Sequence, residues 1–144
     1  MYEFLKNYGD KTCVIGSINS EGEPCGATVY YVHDENLHIY FVTRRDTDKY
    51  KNIVQNPHVS FVVTDEKNAE TFQMRGVASI VSEPKEQIKL FPELMNLATE
   101  RHFMPPVSQM MSSEMIFIKV EPSWARLSRF GIPHEGETFE EVKF

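Results

Sequence analysis

The chain is poor in cysteine, tryptophan, long apolar runs and positive charge, and each shortage removes a class of protein. Two cysteines and one tryptophan occur in 144 residues. Cys13 and Cys25 flank the turn-forming segment Asn19–Gly22. With Glu21 and Gly22 at the centre of a hairpin, Cys25 falls near Ile18 and Cys13 lies four to five residues further along, about 15 Å at ~3.4 Å per residue and too far for a disulfide. Free thiols are expected. Neither cysteine belongs to a paired Cys-x-x-Cys motif, so a structural zinc site is not expected either. No apolar run approaches the roughly 20 residues that span a bilayer. The opening Met1–Lys6 lacks the charged-then-apolar layout of a signal peptide. A soluble, cytoplasmic protein with no membrane partner is the expectation.

Basic residues number 15 against 21 acidic ones, for a formal charge of −6 and a pI near 5.4. That balance argues against nucleic acid or anionic membrane as a partner and favours a small molecule. Gly-x-Ser-x-Gly, Walker and Gly-x-Gly-x-x-Gly motifs are all missing, which removes three common warrants for hydrolase, triphosphatase or dinucleotide chemistry. No repeat of 20 to 50 residues is visible. The length and the 41% apolar content suit one domain over 1–144.

What is present reads mainly as strand. Residues 2–9 read as a short helical or irregular lead-in, with Tyr2, Leu5 and Tyr8 at a spacing of three. Thr12–Ile18 and Ala27–Val32 are β-branched and aromatic, with turn chemistry between them, and predict a hairpin. Leu37–Thr43 follows the polar break His33–Asn36, predicting a third strand in an antiparallel meander. Asp46–Gln55 predicts a short helix that stops at Asn56-Pro57. His58–Thr64 and Thr71–Val81 read as strands, the second with a bulge at Gly76. A helical insertion over about 84–101 follows, which Pro92 is expected to divide. Met115–Val120 is a further strand that Pro122 interrupts, with Trp124–Leu127 continuing around a corner. An acidic tail over about 131–144 closes the chain. Six or seven strands with short turns predict a mainly β fold, an antiparallel barrel with appended helices.

The most informative segment is Val42–Asn52, where four of the fifteen basic residues fall between Arg44 and Lys51. They stand where a strand ends and a helix begins. Backbone N–H groups at a helix start, joined by hydroxyls and a lysine, suit a phosphate monoester. The plainer alternative is a solvated loop in which Asp46 and Asp48 cap the helix and neutralise the cations. His33 and His38, five apart, would face opposite sides of one strand and cannot converge on a metal. The Met-rich stretch Met104–Met111 reads as adaptable packing around a loop. Trp124 suits either a core anchor or the border of a flat aromatic ligand.

The order of features from Val14 to Ser79 resembles the FMN-binding split barrels of the pyridoxamine 5'-phosphate oxidase-like family, including its general stress protein branch. The pieces that carry the resemblance are Ile18–Tyr31, Leu37–Thr43, Asp46–Ile53, Asn56–Ser60 and Gln73–Ala78, with Val120–Leu127 similar to the family's closing strand. The resemblance implies a six- to seven-stranded antiparallel split barrel that binds FMN, with Thr47 and Lys49 on the phosphate and Arg44 or Arg45 as helpers. It places Thr28, Val29, Tyr30, Val42 and Thr43 along the flavin ring. Gln73 and Trp124 would approach the ring from a partner subunit, so a homodimer with cofactor sites at its interface is implied. The chain departs from the oxidase pattern: Ala27–Val32 lacks that enzyme's strand-end arginine and lysine, and Asp48 replaces another arginine. The resemblance therefore favours a flavoprotein oxidoreductase acting on a small molecule over a vitamin B6 enzyme. The alternative it leaves open is a non-catalytic module for flavin, deazaflavin F420 or haem on the same dimeric barrel, or a cofactor-free interaction protein.

Overall fold

A computed structural model describes residues 1–9, 11–100 and 115–144, and within 98–100 the backbone alone. The expected Met-rich loop lies outside the described residues. The elements are α1 (Tyr2–Asn7), β1 (Thr12–Ile18), β2 (Pro24–Tyr30), β3 (Val32–His33), β4 (Ile39–Arg44), α2 (Asp48–Gln55), β5 (His58–Asp65), β6 (Glu70–Ile80), α3 (Pro84–Glu100), β7 (Met115–Arg129), a 3-10 turn at Ile132–His134 and β8 (Thr138–Lys143). All eight strands join one antiparallel sheet in the order β2-β1-β5-β6-β7-β4-β3, with β8 added to β7. The mainly β, half-barrel fold expected from the sequence is what forms. Among the described residues no helix is long and apolar enough to cross a membrane.

Alternation explains the interior. Cys13 and Ile15 on β1, Val29 on β2, Phe61 and Val63 on β5, Phe72 and Met74 on β6, and Ala125 and Leu127 on β7 all point into one core. Its aromatic members meet edge to face, with Tyr31–Phe61 at 5.0 Å and Phe61–Phe72 at 5.8 Å between ring centres, a favoured arrangement beyond simple area burial. Leu5 of α1 is fully buried in the same core. The hairpin register pairs Ser17 with Cys25 and Cys13 with Val29, one residue from the expected alignment, and both thiols are free.

Three expectations are revised for identifiable reasons. β4 extends the meander only through a short hairpin with β3, Val32↔Tyr40 and His33↔Ile39; along its whole length it pairs on its other side with β7. Residues 39–43 are buried on both faces, and such a strand needs a layer on each side rather than one solvated face. Ile39 and Phe41 enter the barrel core, while Tyr40 and Val42 pack outward with Leu90 and Leu94 of α3. Pro92 lies inside α3 without dividing it; it is exposed, so water can meet the carbonyl that loses its partner. Pro122 does not end β7, because it stands opposite Gly76 at the register shift in β6, a point where the ladder asks no donor of it. The acidic tail forms the 3-10 turn and β8, which pairs with β7 from Trp124↔Lys143 to Arg129↔Thr138.

Gly76 is indispensable at that shift. A Cβ there would stand 2.3 Å from the Glu121 backbone oxygen and 2.8 Å from Val120 Cγ1. At Gly16 the clash is with Ser60 Oγ at 2.3 Å, the end of a side chain that can rotate away. Gly76→Ala is therefore expected to cost about 1–3 kcal/mol in urea unfolding, as overpacking does, and Gly16→Ala clearly less. Equal losses would show that the backbone contact at Gly76 is not the constraint.

Candidate functional site

β4 carries the chain out of the barrel at Thr43 and Arg44, and α2 starts four residues later. Thr47, in extended backbone, caps α2 by accepting from the Tyr50 N–H, at 3.2 Å. Asp46 and Asp48 do not provide that cap. The Thr47 hydroxyl donates to the Arg44 carbonyl at 2.9 Å and lies 2.9 Å from the Thr43 hydroxyl. Two hydroxyls thus meet at the positive end of a helix, with Thr43 almost fully buried. Asp48 in the first turn suits the helix dipole.

The four cations of this segment are not equivalent. Arg44 is tied to Asp46 through two hydrogen bonds, one of 2.8 Å, and that bonding holds the Asp46 carboxyl below its usual range. Arg45 lies over the Tyr50 ring at 5.8 Å. Lys51 faces Asp48 at 3.9 Å. Lys49 has no carboxylate partner among the described residues. Its ammonium folds toward the barrel mouth, 5.9 Å from the centre of the Phe41 ring. Desolvation there lowers its pKa, opposed by the nearby Cys13. Cys13 is shifted up by its own burial, with Lys49 opposing. Behind this pair Asn52, also buried, donates to Ser17 Oγ at 3.2 Å, fixing α2 to β1.

The residues expected along a flavin ring separate into two faces. Val29 belongs to the interior core, whereas Thr28 is exposed and Tyr30 is buried on the opposite face. Val42 is covered by α3 through Leu90 and Leu94. Its side chain is thereby committed to packing, which leaves the backbone of β4 as the surface it can offer.

Gln73 and Trp124 come together elsewhere, on the outer face of β6 and β7. Gln73 is the register partner of Arg126, and Trp124 that of Arg75. Thr43 pairs with Ile116, and Trp124 lies eight residues further along the same strand, about 25 Å at ~3.3 Å per residue. On one copy of the chain these two groups of residues therefore stand well apart.

Sequence reasoning missed Arg75 and Arg126, whose guanidinium groups lie 4.5 and 5.2 Å from the Trp124 ring centre. The available signal was alternation: residues 73 and 75 share a strand face, as do 124 and 126. It also missed the turn around Asp34, whose carboxylate accepts from His38 Nδ1 at 2.7 Å and from the Tyr40 hydroxyl at 3.1 Å. A cleft of about 440 Å³ opens beside this turn, lined by Tyr2, His33, Asp34, Tyr40, Glu86 and Lys89 among others. It contains none of the expected site residues. No group of metal-ligating side chains occurs among the described residues.

Comparison with known proteins bears on this geometry. Residues 2–129 match the family described as pyridoxamine 5'-phosphate oxidase. The general stress protein 26 of Bacillus anthracis superposes with a TM-score of 0.69 at 18% identity, over 99% of this chain and 95% of that one. A pyridoxamine 5'-phosphate oxidase-related, FMN-binding protein of Nostoc punctiforme gives 0.59 at 12% identity, over 99% and 93%. HutZ, a haem storage protein of Vibrio cholerae, gives 0.59 at 20% identity, over 84% and 86%. Likenesses this distant concern the fold. Comparison with curated proteins finds no significant match. The split half-barrel, the strand-to-helix turn at Thr47 and the family match over 2–129 agree: the chain belongs to the pyridoxamine 5'-phosphate oxidase family.

Proposed function

We propose that the protein is an FMN-binding flavoprotein and that it acts as an oxidoreductase on a small molecule. The observation that carries this reading is the meeting of the Thr43 and Thr47 hydroxyls with a half-buried Lys49 that has no carboxylate partner among the described residues, at the start of α2. The donor set fits a phosphate monoester. The first-turn N–H groups can donate, Thr47 joins them once its hydroxyl turns from the Arg44 carbonyl, Lys49 can supply the charge, and Arg44 adds a second cation if Asp46 yields it. When bound, the flavin would supply reversible electron transfer. The chain's own part is to anchor the phosphate, to line the ring with β2 and β4 backbone, and to shield it from water.

A second copy of the chain completes the reading. The half-site at Thr47 and the half-site at Trp124 are too far apart on one chain to share a ligand. A homodimer in which each copy lends Gln73 and Trp124 to the other's phosphate site would unite them. Sedimentation of the FMN-loaded protein is expected to give twice the chain mass.

Lys49 yields two opposed outcomes. Lys49→Ala should weaken FMN binding by about 1.5–3 kcal/mol, the value of a charge-assisted bond, or roughly ten- to a hundredfold; fluorescence quenching on titration measures it. An unchanged Kd would remove the phosphate anchor. The absorption spectrum of the untreated protein identifies the chromophore, and a Soret band or a deazaflavin spectrum would replace the flavin assignment. In the ligand-free protein Lys49→Met should raise the Tm at pH 7. The folded state lowers the Lys49 pKa from 10.5, so it holds the ammonium less readily than the unfolded chain does. Keeping that charge costs stability at neutral pH, and the cost fades as pH rises through the native pKa toward 10.5. The gain from Met should shrink over the same range, and a gain that is flat with pH would contradict the desolvation account.

A further inference from the structure

Lys49 differs from other lysines of the chain in where its amine is held. Lys51, two residues along the same helix, is exposed and faces Asp48 at 3.9 Å. Lys119 is paired with Glu121 at 2.9 Å, and Lys11 donates to the Leu5 and Lys6 carbonyls. Lys49 is half-buried, has no carboxylate partner among the described residues, and holds its nitrogen 5.9 Å from the Phe41 ring centre. Residues 41 and 43 share one face of β4, about 6.6 Å apart at ~3.3 Å per residue. The amine and the Thr43 hydroxyl therefore open on the same mouth, where Thr43 meets the helix-capping Thr47 hydroxyl at 2.9 Å. The flexible four-carbon stem of a lysine lets the amine swing between the ring and that point.

Transfer of an acyl group to an amine needs a neutral nitrogen and a hold on the leaving group. Packing against the barrel mouth favours the neutral amine of Lys49 over its ammonium, the usual way in which a buried lysine becomes nucleophilic. The start of α2 supplies the hold: its free N–H groups and the Thr47 hydroxyl suit a departing phosphate. Cys13 is the competing nucleophile beside Lys49, but it is buried and its own burial keeps the thiol protonated, so it does not intercept the acyl group. An amine two residues past the cap of the helix that binds the leaving group is thus the one placed to react.

We propose that Lys49 is an acylation site, and that its reagent is a small acyl phosphate whose phosphoryl group docks at the start of α2. The Lys49 nitrogen attacks the carbonyl carbon and forms a C–N bond, while the bond from that carbon to the phosphoryl-bearing oxygen breaks. Phosphate leaves with the electron pair of the broken bond and takes up the proton shed by the nitrogen. An amide on Lys49 and inorganic phosphate result, with no oxidant or reductant consumed. The amide carries no charge, so a flavin phosphate loses its cation and the cofactor loads less readily as acyl phosphate accumulates. This inference rests on the phosphate-site reading of the α2 start, and assigns to that site a means of regulation.

The experiment treats the intact, FMN-free protein with acetyl phosphate and follows each lysine by peptide mass spectrometry, with Lys51 as the internal control. Lys49 should be acetylated at least about tenfold faster than Lys51, at a rate that saturates with acetyl phosphate. Inorganic phosphate or FMN should slow Lys49 and leave Lys51 unchanged. Acetic anhydride, which has no phosphoryl group to dock, should lose most of the preference. Lys49 reacting no faster than Lys51 would overturn the proposal, and so would a rate that stays linear in acetyl phosphate and ignores inorganic phosphate. FMN titration of the same samples keeps the two readings apart. A protein that binds FMN through Lys49 yet leaves that lysine unacetylated refutes the acylation alone. Rapid acetylation that inorganic phosphate blocks, in a protein that binds no FMN, refutes the flavin reading alone.

Discussion

The structure depends on one close backbone contact, where Gly76 of β6 lies against the Glu121 carbonyl of β7. That contact shifts the register between the two longest strands and lets Pro122 sit inside a continuous fifteen-residue strand. Because β7 continues through the shift, its far edge is long enough to serve two partners in turn. β4 takes residues 115–120, and β8 takes 124–129. One partner leads to Thr43 and the start of α2; the other covers Trp124. Both groups of residues therefore hang from the same strand, and the bulge fixes how far apart they stand.

Charge is distributed by a simple rule at both places. Cations that can reach a neighbouring carboxylate are tied up, as Arg44 is by Asp46 and Arg126 by Glu141. The informative ones are those left over. Lys49 is left over because α2 directs it inward over Phe41, where no acid among the described residues accompanies it and desolvation opposes its charge. Arg75 is left over because its cross-strand neighbours are Ser60 on one side and Trp124 on the other. Lys49 and Arg75 thus stand in an acidic chain without a carboxylate partner among the described residues, a pattern that net charge conceals.

Local chemistry was legible in the sequence wherever a residue acts on its own neighbourhood. The strand at Thr12–Ile18, the helix before Asn56-Pro57 and the bulge at Gly76 follow from propensity, stop signals and glycine's missing Cβ. Long-range choices were not legible. Whether Leu37–Thr43 pairs with β2 or crosses to β7 depends on α3 covering Tyr40 and Val42, and no local pattern announces that layer. Pro122 reads as a break until Gly76 is found opposite it. Neutralisation of a cation by Asp46 was readable in the sequence, while the cap falls to Thr47, which the sequence offered only as a phosphate contact by resemblance. Arg75 and Arg126 looked like ordinary surface residues until β6 and β7 brought them to one indole.

The barrel has a seam. β2 and β3 stand at the two ends of the sheet order, and β2 and β4 approach within 8 Å between Cα atoms without sharing a ladder. α3 packs across both of them, closing the gap with Leu90 and Leu94 on Tyr40 and Val42. A wall joined by backbone hydrogen bonds breathes only by breaking them. A wall joined by side chains can change its girth by sliding, at the cost of a few dispersion contacts. Of the amides on β2 and β4, those turned to the seam would then exchange with the undocking of one helix, while those bonded to β1 and β7 exchange only when the sheet opens.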